Sequence, residues 1–160
     1  MRCPACEHRL KLEHRDYRYT ECGLRNIILP KAPVYTCPRH GIQAVALREV
    51  ALLHADIATA LLDQRRPLRG EEIRFLRKQR GWSQAELARR LEVTEVTVSR
   101  WETEAAPTGP ANQQRLHLLF RDPEAFASLQ LAAAKPRKAA APLRIPVHRV
   151  RKLATAAATT

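Results

Sequence analysis

SQAELARRLEVTEVTVSRWE, residues 83–102, is the stretch that decides the fold of this chain. Its apolar residues recur at helical spacing on both sides of a short break. Ser83 and Glu86 form a capping box, in which the serine hydroxyl accepts from one backbone amide and the glutamate carboxylate reaches back to another. Thr94 is the N-cap candidate for a second helix, which runs through Trp101. The stretch therefore predicts two short helices joined by a tight turn.

The side chains around that turn suit two helices that cross closely. Ala88 is small at the expected crossing, and Val93 fills the turn. Val98 and Trp101 have the spacing of a buried face. Four residues then face outward: Glu95, Val96, Thr97 and Arg100. Because the N-terminal part of such a helix is what enters the major groove of DNA, the pattern favours DNA reading over a helical hairpin that only packs or a domain that binds a protein partner.

Further helices are predicted around this pair. Residues 71–80 show helical spacing of apolar positions and are followed by Gly81, a typical C-terminal stop. Residues 107–110 break the chain, and residues 114–120 form the next helix. Asp122 and the proline after it are typical of the start of a last helix. The region is therefore predicted to be all-α, with five helices.

Residues 71–102 resemble the Cro/434-repressor/Xre family of helix-turn-helix proteins. The DNA-contacting residues that the resemblance implies are Gln84, Thr94, Glu95, Val96, Thr97 and Arg100. Gln84 would contact a phosphate, and Arg100 is the strongest candidate for base reading. A guanidinium bonds guanine O6 and N7 together, which contributes about 1–3 kcal/mol of discrimination. The resemblance also implies a structural ion pair between Arg77 and Glu102.

Two metal-ligand pairs lie in the first third of the chain. Cys3 and Cys6 are separated by two residues, as are Cys37 and His40. Two such knuckles complete a tetrahedron, so we predict a structural Zn²⁺ site with four protein ligands and no open position. Cys22 is a spare thiol that could replace His40. A redox pair of Cys3 and Cys6 is the other reading, but the βαβ context of such a motif is absent.

Periodicity divides the chain into three parts. Residues 1–66 are predicted to form a zinc-binding β-hairpin domain with a linking helix, in which Val50, Leu53, Ile57 and Leu61 share one face. Residues 65–67 make a natural linker. Residues 67–131 form the helix-turn-helix domain, and residues 132–160 are a basic tail predicted to be disordered. The predicted fold class is therefore α+β.

The combination of parts resembles the MqsA/YgiT-type family. Four segments carry the resemblance, which covers about residues 1–126: Cys3-Pro4-x-Cys6, Glu21-Cys22-Gly23-Leu24, Pro33-Val34-Tyr35-x-Cys37 and residues 72–78. It implies an N-terminal domain that holds a toxin and a C-terminal domain that forms a homodimer and represses a palindromic operator. His40 departs from the cysteine usual in that family and leaves the site with one negative charge fewer.

Charge and composition narrow the function classes. The net charge is +12, which favours a polyanion such as double-stranded DNA. Residues 1–66 carry 11 basic and 7 acidic side chains, residues 67–134 carry 10 and 9, and residues 135–160 carry 7 and none. No signal peptide or membrane span is predicted, which indicates a cytoplasmic protein. We predict no enzyme, because no nucleophile–base pair or Gly-rich phosphate loop is visible. The two remaining hypotheses are a transcriptional repressor and a protein-interaction module that neutralises a toxin.

Overall fold

The computed structural model describes residues 1–47, 49–64 and 66–134. The basic tail was predicted to begin at residue 132, but residues 132–134 end an alanine-rich helix, and alanine favours helix; residues 135–160 lie outside the described residues. Residues Met1–Ser128 form one compact unit. The predicted α+β class is confirmed, with a three-stranded sheet followed by six helices in the described residues. The elements are β1 (Lys11–Arg18), β2 (Ile28–Thr36), β3 (Gln43–Val45), α1 (Val50–Asp63), α2 (Gly70–Gln79), α3 (Gln84–Leu91), α4 (Glu95–Glu102), α5 (Pro110–Arg121) and α6 (Pro123–Ala134).

The sheet is antiparallel throughout, in the order β1-β2-β3. β2 is a single long strand that contains Pro33. It pairs with β3 only from Val34 onward, so the proline lies where the strand has one neighbour. β3 was not predicted. We refer to residues 1–47 as the N-terminal module.

The linking helix α1 buries most of its predicted face. Ile57 and Leu61 are buried and Leu53 is half-buried. Val50 was predicted on the same face but is 41% exposed, because it lies in the first turn, ahead of the region that packs against α2. The helix α5 begins at Pro110, earlier than predicted, with the proline in the first turn where its missing N–H costs nothing.

The N-terminal module and the helices share one hydrophobic core. Tyr19 and Leu24, which follow β1, are 4% and 0% exposed. They lie in the same cluster of buried side chains as Ile57 of α1 and Ile73 of α2. The Tyr19 hydroxyl is also 2.8 Å from Nε2 of His54 on α1. The module is therefore packed against the helices rather than tethered to them.

The predicted linker is fastened to the helices where the structure describes it. Arg66 donates to both carboxylate oxygens of the fully buried Glu72, at 2.9 and 2.6 Å. The backbone N–H of Leu68 donates to Oε1 of Gln113 at 2.8 Å, and Nε2 of Gln113 donates back to the Leu68 carbonyl at 3.0 Å. Because these buried polar groups are hydrogen-bonded, they fix the course of the backbone and do not destabilise the fold.

Gly70 allows the closest approach between helices. It begins α2 directly against the end of α4, where an added Cβ would lie 2.5 Å from the carbonyl oxygen of Trp101 and 2.7 Å from that of Glu102. Both atoms belong to the backbone, so neither can swing away. A side chain at this position would therefore push α2 off α4.

Candidate DNA-binding and metal sites

The two predicted caps set the ends of α3 and α4. The Ser83 hydroxyl accepts from the backbone N–H of Glu86 at 3.1 Å, and the Glu86 carboxylate accepts from the N–H of Ser83 at 2.6 Å. Thr94 accepts from the N–H of Thr97 at 3.2 Å. Each bond satisfies an amide that the helix itself leaves without a partner. The predicted start of both helices is confirmed.

The crossing of α3 and α4 is packed as predicted. Ala88 is 3% exposed at the crossing, and Val93 is half-buried against the core in the turn. Val98 and Trp101 are 0% and 4% exposed, so this face of α4 is buried. Because one face is buried, the opposite face of α4 is the one presented to solvent.

Glu102, at the end of α4, joins the three helices around the turn. Its buried carboxylate accepts from Nε and NH2 of Arg77 on α2, at 2.6 and 3.0 Å, which confirms the implied ion pair. Gln84 on α3 donates to the same carboxylate at 2.8 Å, and Arg74 approaches it at 3.4 Å. Burial alone would raise the pKa of Glu102, but Arg77 and Gln84 outweigh it and hold the pKa below its usual value. The orientation of α4 is therefore fixed by a charged network.

The outward face of α4 carries the predicted DNA-contacting set. Thr94, Glu95, Val96 and Arg100 are exposed and Thr97 is half-buried. Neither the Arg100 guanidinium nor the Glu95 carboxylate forms a hydrogen bond or ion pair with any residue that the structure describes. Glu95, Val96 and Arg100 are thus available to a ligand, whereas the hydroxyls of Thr94 and Thr97 lie 2.8 Å apart and are bonded to each other.

Gln84 has a second contact that sequence reasoning missed. Its side-chain amide, predicted to meet a phosphate, already donates one hydrogen bond to Glu102. A primary amide carries two donor hydrogens, so one remains for a phosphate oxygen. Gln84 and Glu102 are 18 positions apart in the sequence, so no local pattern indicates this contact.

The four predicted metal ligands lie together at one end of the N-terminal module. The ligand atoms of Cys3, Cys6, Cys37 and His40 all lie within 4.8 Å of one another. The Sγ atoms of Cys6 and Cys37 are 3.6 Å apart, and Nδ1 of His40 is 3.7 Å from Sγ of Cys37 and 4.0 Å from Sγ of Cys3. These residues could hold a metal ion.

The thiols of this group ionise unequally. Burial opposes ionisation of Cys37, but the backbone N–H groups of His40 and Arg39 outweigh it and lower the pKa to about 6. The backbone at His8 favours the thiolate of Cys6, but burial and the neighbouring Cys37 thiol outweigh it and raise the pKa of Cys6. The thiolate is the form that binds metal, so the lowered pKa of Cys37 favours metal binding at neutral pH.

Cys22, the alternative fourth ligand, lies outside this group. It is half-buried against the main core, with Sγ 4.0 Å from the carbonyl oxygen of Tyr19. His40 therefore completes the set of four, and Cys22 packs as a small apolar side chain.

Comparison with protein-family profiles identifies a known domain in part of the chain. The sequence profile of a helix-turn-helix family, of the Cro/Xre type, matches residues 73–111, from α2 to the start of α5. No curated protein matches the chain. Among the described residues, none of the helices has the length and apolar character that crossing a membrane requires. The helix-turn-helix supports a DNA-binding function of the transcription-regulator type.

Proposed function

We propose, from the helix-turn-helix at residues 73–111, that this chain is a sequence-specific transcriptional repressor that binds double-stranded DNA as a homodimer at a palindromic operator. The reading surface is the exposed face of α4 in the domain of residues 67–131, and the N-terminal module holds a structural zinc ion. The homodimer, formed through the C-terminal domain, is proposed from the Cro-type and MqsA/YgiT-type resemblance. Palindromic half-sites about 34 Å apart would match its symmetry.

The observation that carries this proposal is the state of Arg100. It lies on the solvent face of a helix whose other side is anchored by Val98, Trp101 and Glu102. The carboxylate of Glu102 has partners in Arg74 and Arg77, but the Arg100 guanidinium forms no hydrogen bond or ion pair within the described part of the chain. A rigid helix that presents an unpaired arginine suits bidentate recognition of guanine.

Arg100→Ala is expected to relax sequence preference more than it weakens non-specific binding. The lost guanine contact corresponds to about 1–3 kcal/mol at one position of each half-site. The measurement is selection of bound sites from a randomised duplex pool, followed by affinities for the selected site and for a scrambled duplex. Arg100→Lys keeps the charge and a contact with guanine but loses the planar fork, so its sequence preference should fall between those of the wild-type protein and the alanine variant.

Arg89→Ala is the matched control, since Arg89 is an exposed arginine of α3 outside the predicted set. It should leave the selected sequence unchanged. An equal loss by Arg100→Ala on every duplex would remove Arg100 from base reading, and no enrichment of any site by the wild-type protein would reject the repressor.

Zinc is proposed for the metal site because both the donor set and the spacing suit it. Three thiolates and an imidazole are ligands typical of structural zinc. With zinc–sulfur bonds of about 2.3 Å, a tetrahedron has sulfur–sulfur edges of about 3.8 Å, close to the 3.6 Å between the Sγ atoms of Cys6 and Cys37. When bound, the ion would supply cross-linking of the two knuckles, and four protein ligands leave it no site for catalysis.

An antitoxin whose main task is to neutralise a toxin is the second candidate. The observation that favours it is the exposure of apolar side chains on the N-terminal module: Leu12 is 45% exposed, Ile28 61% and Ile42 41%. Purification of the tagged chain from its native host at moderate salt is the test. A stoichiometric small protein that copurifies, and that Ile28→Glu releases, would support the antitoxin. Specific DNA with no protein would leave a stand-alone regulator.

A further inference from the structure

Two arginines face each other beside the metal site. Residues Arg2 and Arg9 form an isolated antiparallel bridge. The N–H of Cys3 donates to the carbonyl of His8 at 2.9 Å, and the N–H of Leu10 donates to that of Met1 at 3.1 Å. Hydrogen bonds on both sides of the bridge make it a non-hydrogen-bonded pair, whose Cα atoms lie about 4.5 Å apart with both side chains on one face.

This pair is electrostatically unfavourable by itself. Like charges directly opposite each other destabilise a strand pair. Both side chains are exposed, and neither guanidinium makes an ion pair with a residue in the described ranges. By contrast Lys11, two residues beyond Arg9, pairs with Glu13 at 3.0 Å. The two arginines are thus held together without the acid that would neutralise them.

The surface between the arginines is concave and polar. A cavity of about 540 Å³ is lined by Met1, Arg2, Glu7, His8 and Arg9. Arg39, in the second knuckle, is exposed as well, next to the ligand His40. Glu7 is the one acidic side chain that lines the cavity, beside the basic Arg2 and Arg9. The face has room for an anionic group and an excess of positive charge to hold it.

The charge distribution along the chain indicates which anion. Residues 67–134, which include the helix-turn-helix, have a net charge of only +1, whereas residues 1–66 have +4. Affinity for DNA that does not depend on sequence comes from cations that contact phosphates. The 10 basic side chains of residues 67–134 are offset by 9 acidic ones, so cations elsewhere in the chain, among residues 1–66 and in the basic tail, would add to the affinity for phosphates.

We propose that the Arg2–Arg9 face is a second DNA-binding site, at which the metal module contacts the phosphate backbone outside the bases read by α4. The proposal rests on the proposed DNA binding and adds to it a role for the N-terminal module. Metal supports this site by holding the knuckles, and the arginines supply the contacts. The contact is independent of base sequence, because phosphates carry no sequence information.

The test is the salt dependence of binding to a fluorescent duplex of about 20 base pairs, carrying either the selected operator or a scrambled sequence. Each phosphate contact contributes about −0.9 to the slope of log K against log salt. The homodimer carries this pair of arginines twice, so the double variant Arg2→Gln/Arg9→Gln should flatten the slope by about 1.8 for each protomer that contacts the duplex, and by about 3.6 in all, on both duplexes. If these contacts contribute nothing at 1 M salt, the same relation makes binding at 0.1 M about 60-fold weaker for each protomer in contact and about 4,000-fold weaker for both.

Three further variants separate charge from structure. Arg2→Lys/Arg9→Lys keeps the charge and should keep the slope. Lys11→Gln removes a cation of the same module that is already paired, and should change the slope little. Glu7→Gln removes the acid of the concave face and should strengthen binding. Zinc content and circular dichroism must match those of the wild-type protein in each case.

The outcomes distinguish the two proposals. If the wild-type protein selects an operator but the double glutamine variant keeps its slope, the second site is rejected and the repressor stands. If the wild-type protein binds no duplex, both are rejected. A loss confined to the operator duplex would also overturn the proposal, because a phosphate contact must act on both sequences.

Discussion

Chelation of the proposed zinc ion is expected to unfold the metal knuckles of the N-terminal module while α2 to α5 stay helical. The small core beside the site consists of Cys3, Leu10 and Cys37, with Cys6 and Tyr35 packed against it. Three of these five residues are ligands, so little apolar packing remains once the ion is gone. Structural zinc binding contributes about 10–16 kcal/mol in small zinc modules, which is what the knuckles would lose. Amide spectra recorded residue by residue before and after chelation measure the extent.

Matched cysteine variants sharpen that experiment. Cys37→Ser should lower the zinc content and reproduce the effect of the chelator. Cys22→Ser removes a thiol that lies outside the ligand group, so metal content and spectra should stay as in the wild-type protein. Knuckle amides that do not respond to complete metal removal would contradict a structural role for the ion.

Arg77→Ala is expected to destabilise the helix-turn-helix by about 3–5 kcal/mol, because it leaves the Glu102 carboxylate buried without its main partner. Glu102 is 4% exposed and accepts two hydrogen bonds from Arg77. The free energy of unfolding of small proteins is about 5–15 kcal/mol, so this change would remove a large part of the stability. Urea unfolding followed by far-UV circular dichroism measures it.

Arg74→Ala is the matched control for that change. Arg74 reaches the same carboxylate at 3.4 Å, but its side chain is 46% exposed, so solvent screens the pair and the expected cost is under about 1 kcal/mol. Arg77→Lys should fall between the two variants, since lysine keeps the charge and loses the two-point contact. Equal effects of Arg77→Ala and Arg74→Ala would contradict the assignment of Arg77 as the main partner.

Local chemistry made the helix-turn-helix predictable. The caps at Ser83 and Thr94 bond to amides within three residues, so they are visible in a short window of sequence. Val98 and Trp101 follow helical spacing, and their burial follows from that spacing. The metal ligands could be predicted for a similar reason, because each pair lies on one tight knuckle. The pairing of the two knuckles follows from the coordination number of the metal.

Contacts between distant residues escaped prediction. In the sequence Glu72 resembles an ordinary charged residue in the first turn of a helix, yet its side chain is fully buried and hydrogen-bonded to Arg66. Gln113 gives no sign that it bonds to backbone 45 residues away. Periodicity reports which face of an element is buried but not which element covers it. The shared core of the N-terminal module and the helices therefore appears only in the folded structure.

The connection into α2 is held by hydrogen bonds at Arg66, Leu68 and Gly70, and we call it the joint. Its rigidity affects the avidity with which two proposed contacts would bind one duplex. A flexible tether would let the metal module explore a wide volume, so that its local concentration at DNA already held by α4 would be set by the length of the tether. Here the joint is already ordered by folding, before any DNA is present. Arg66 donates to Glu72, the N–H of Leu68 to Gln113, and the N–H of Gly70 to Glu104. The two proposed contacts, on α4 and on the Arg2–Arg9 face, would then engage a duplex together or not at all, because the spacing between them is fixed by the fold. An insertion into this joint would then uncouple the two contacts without altering a residue of either one.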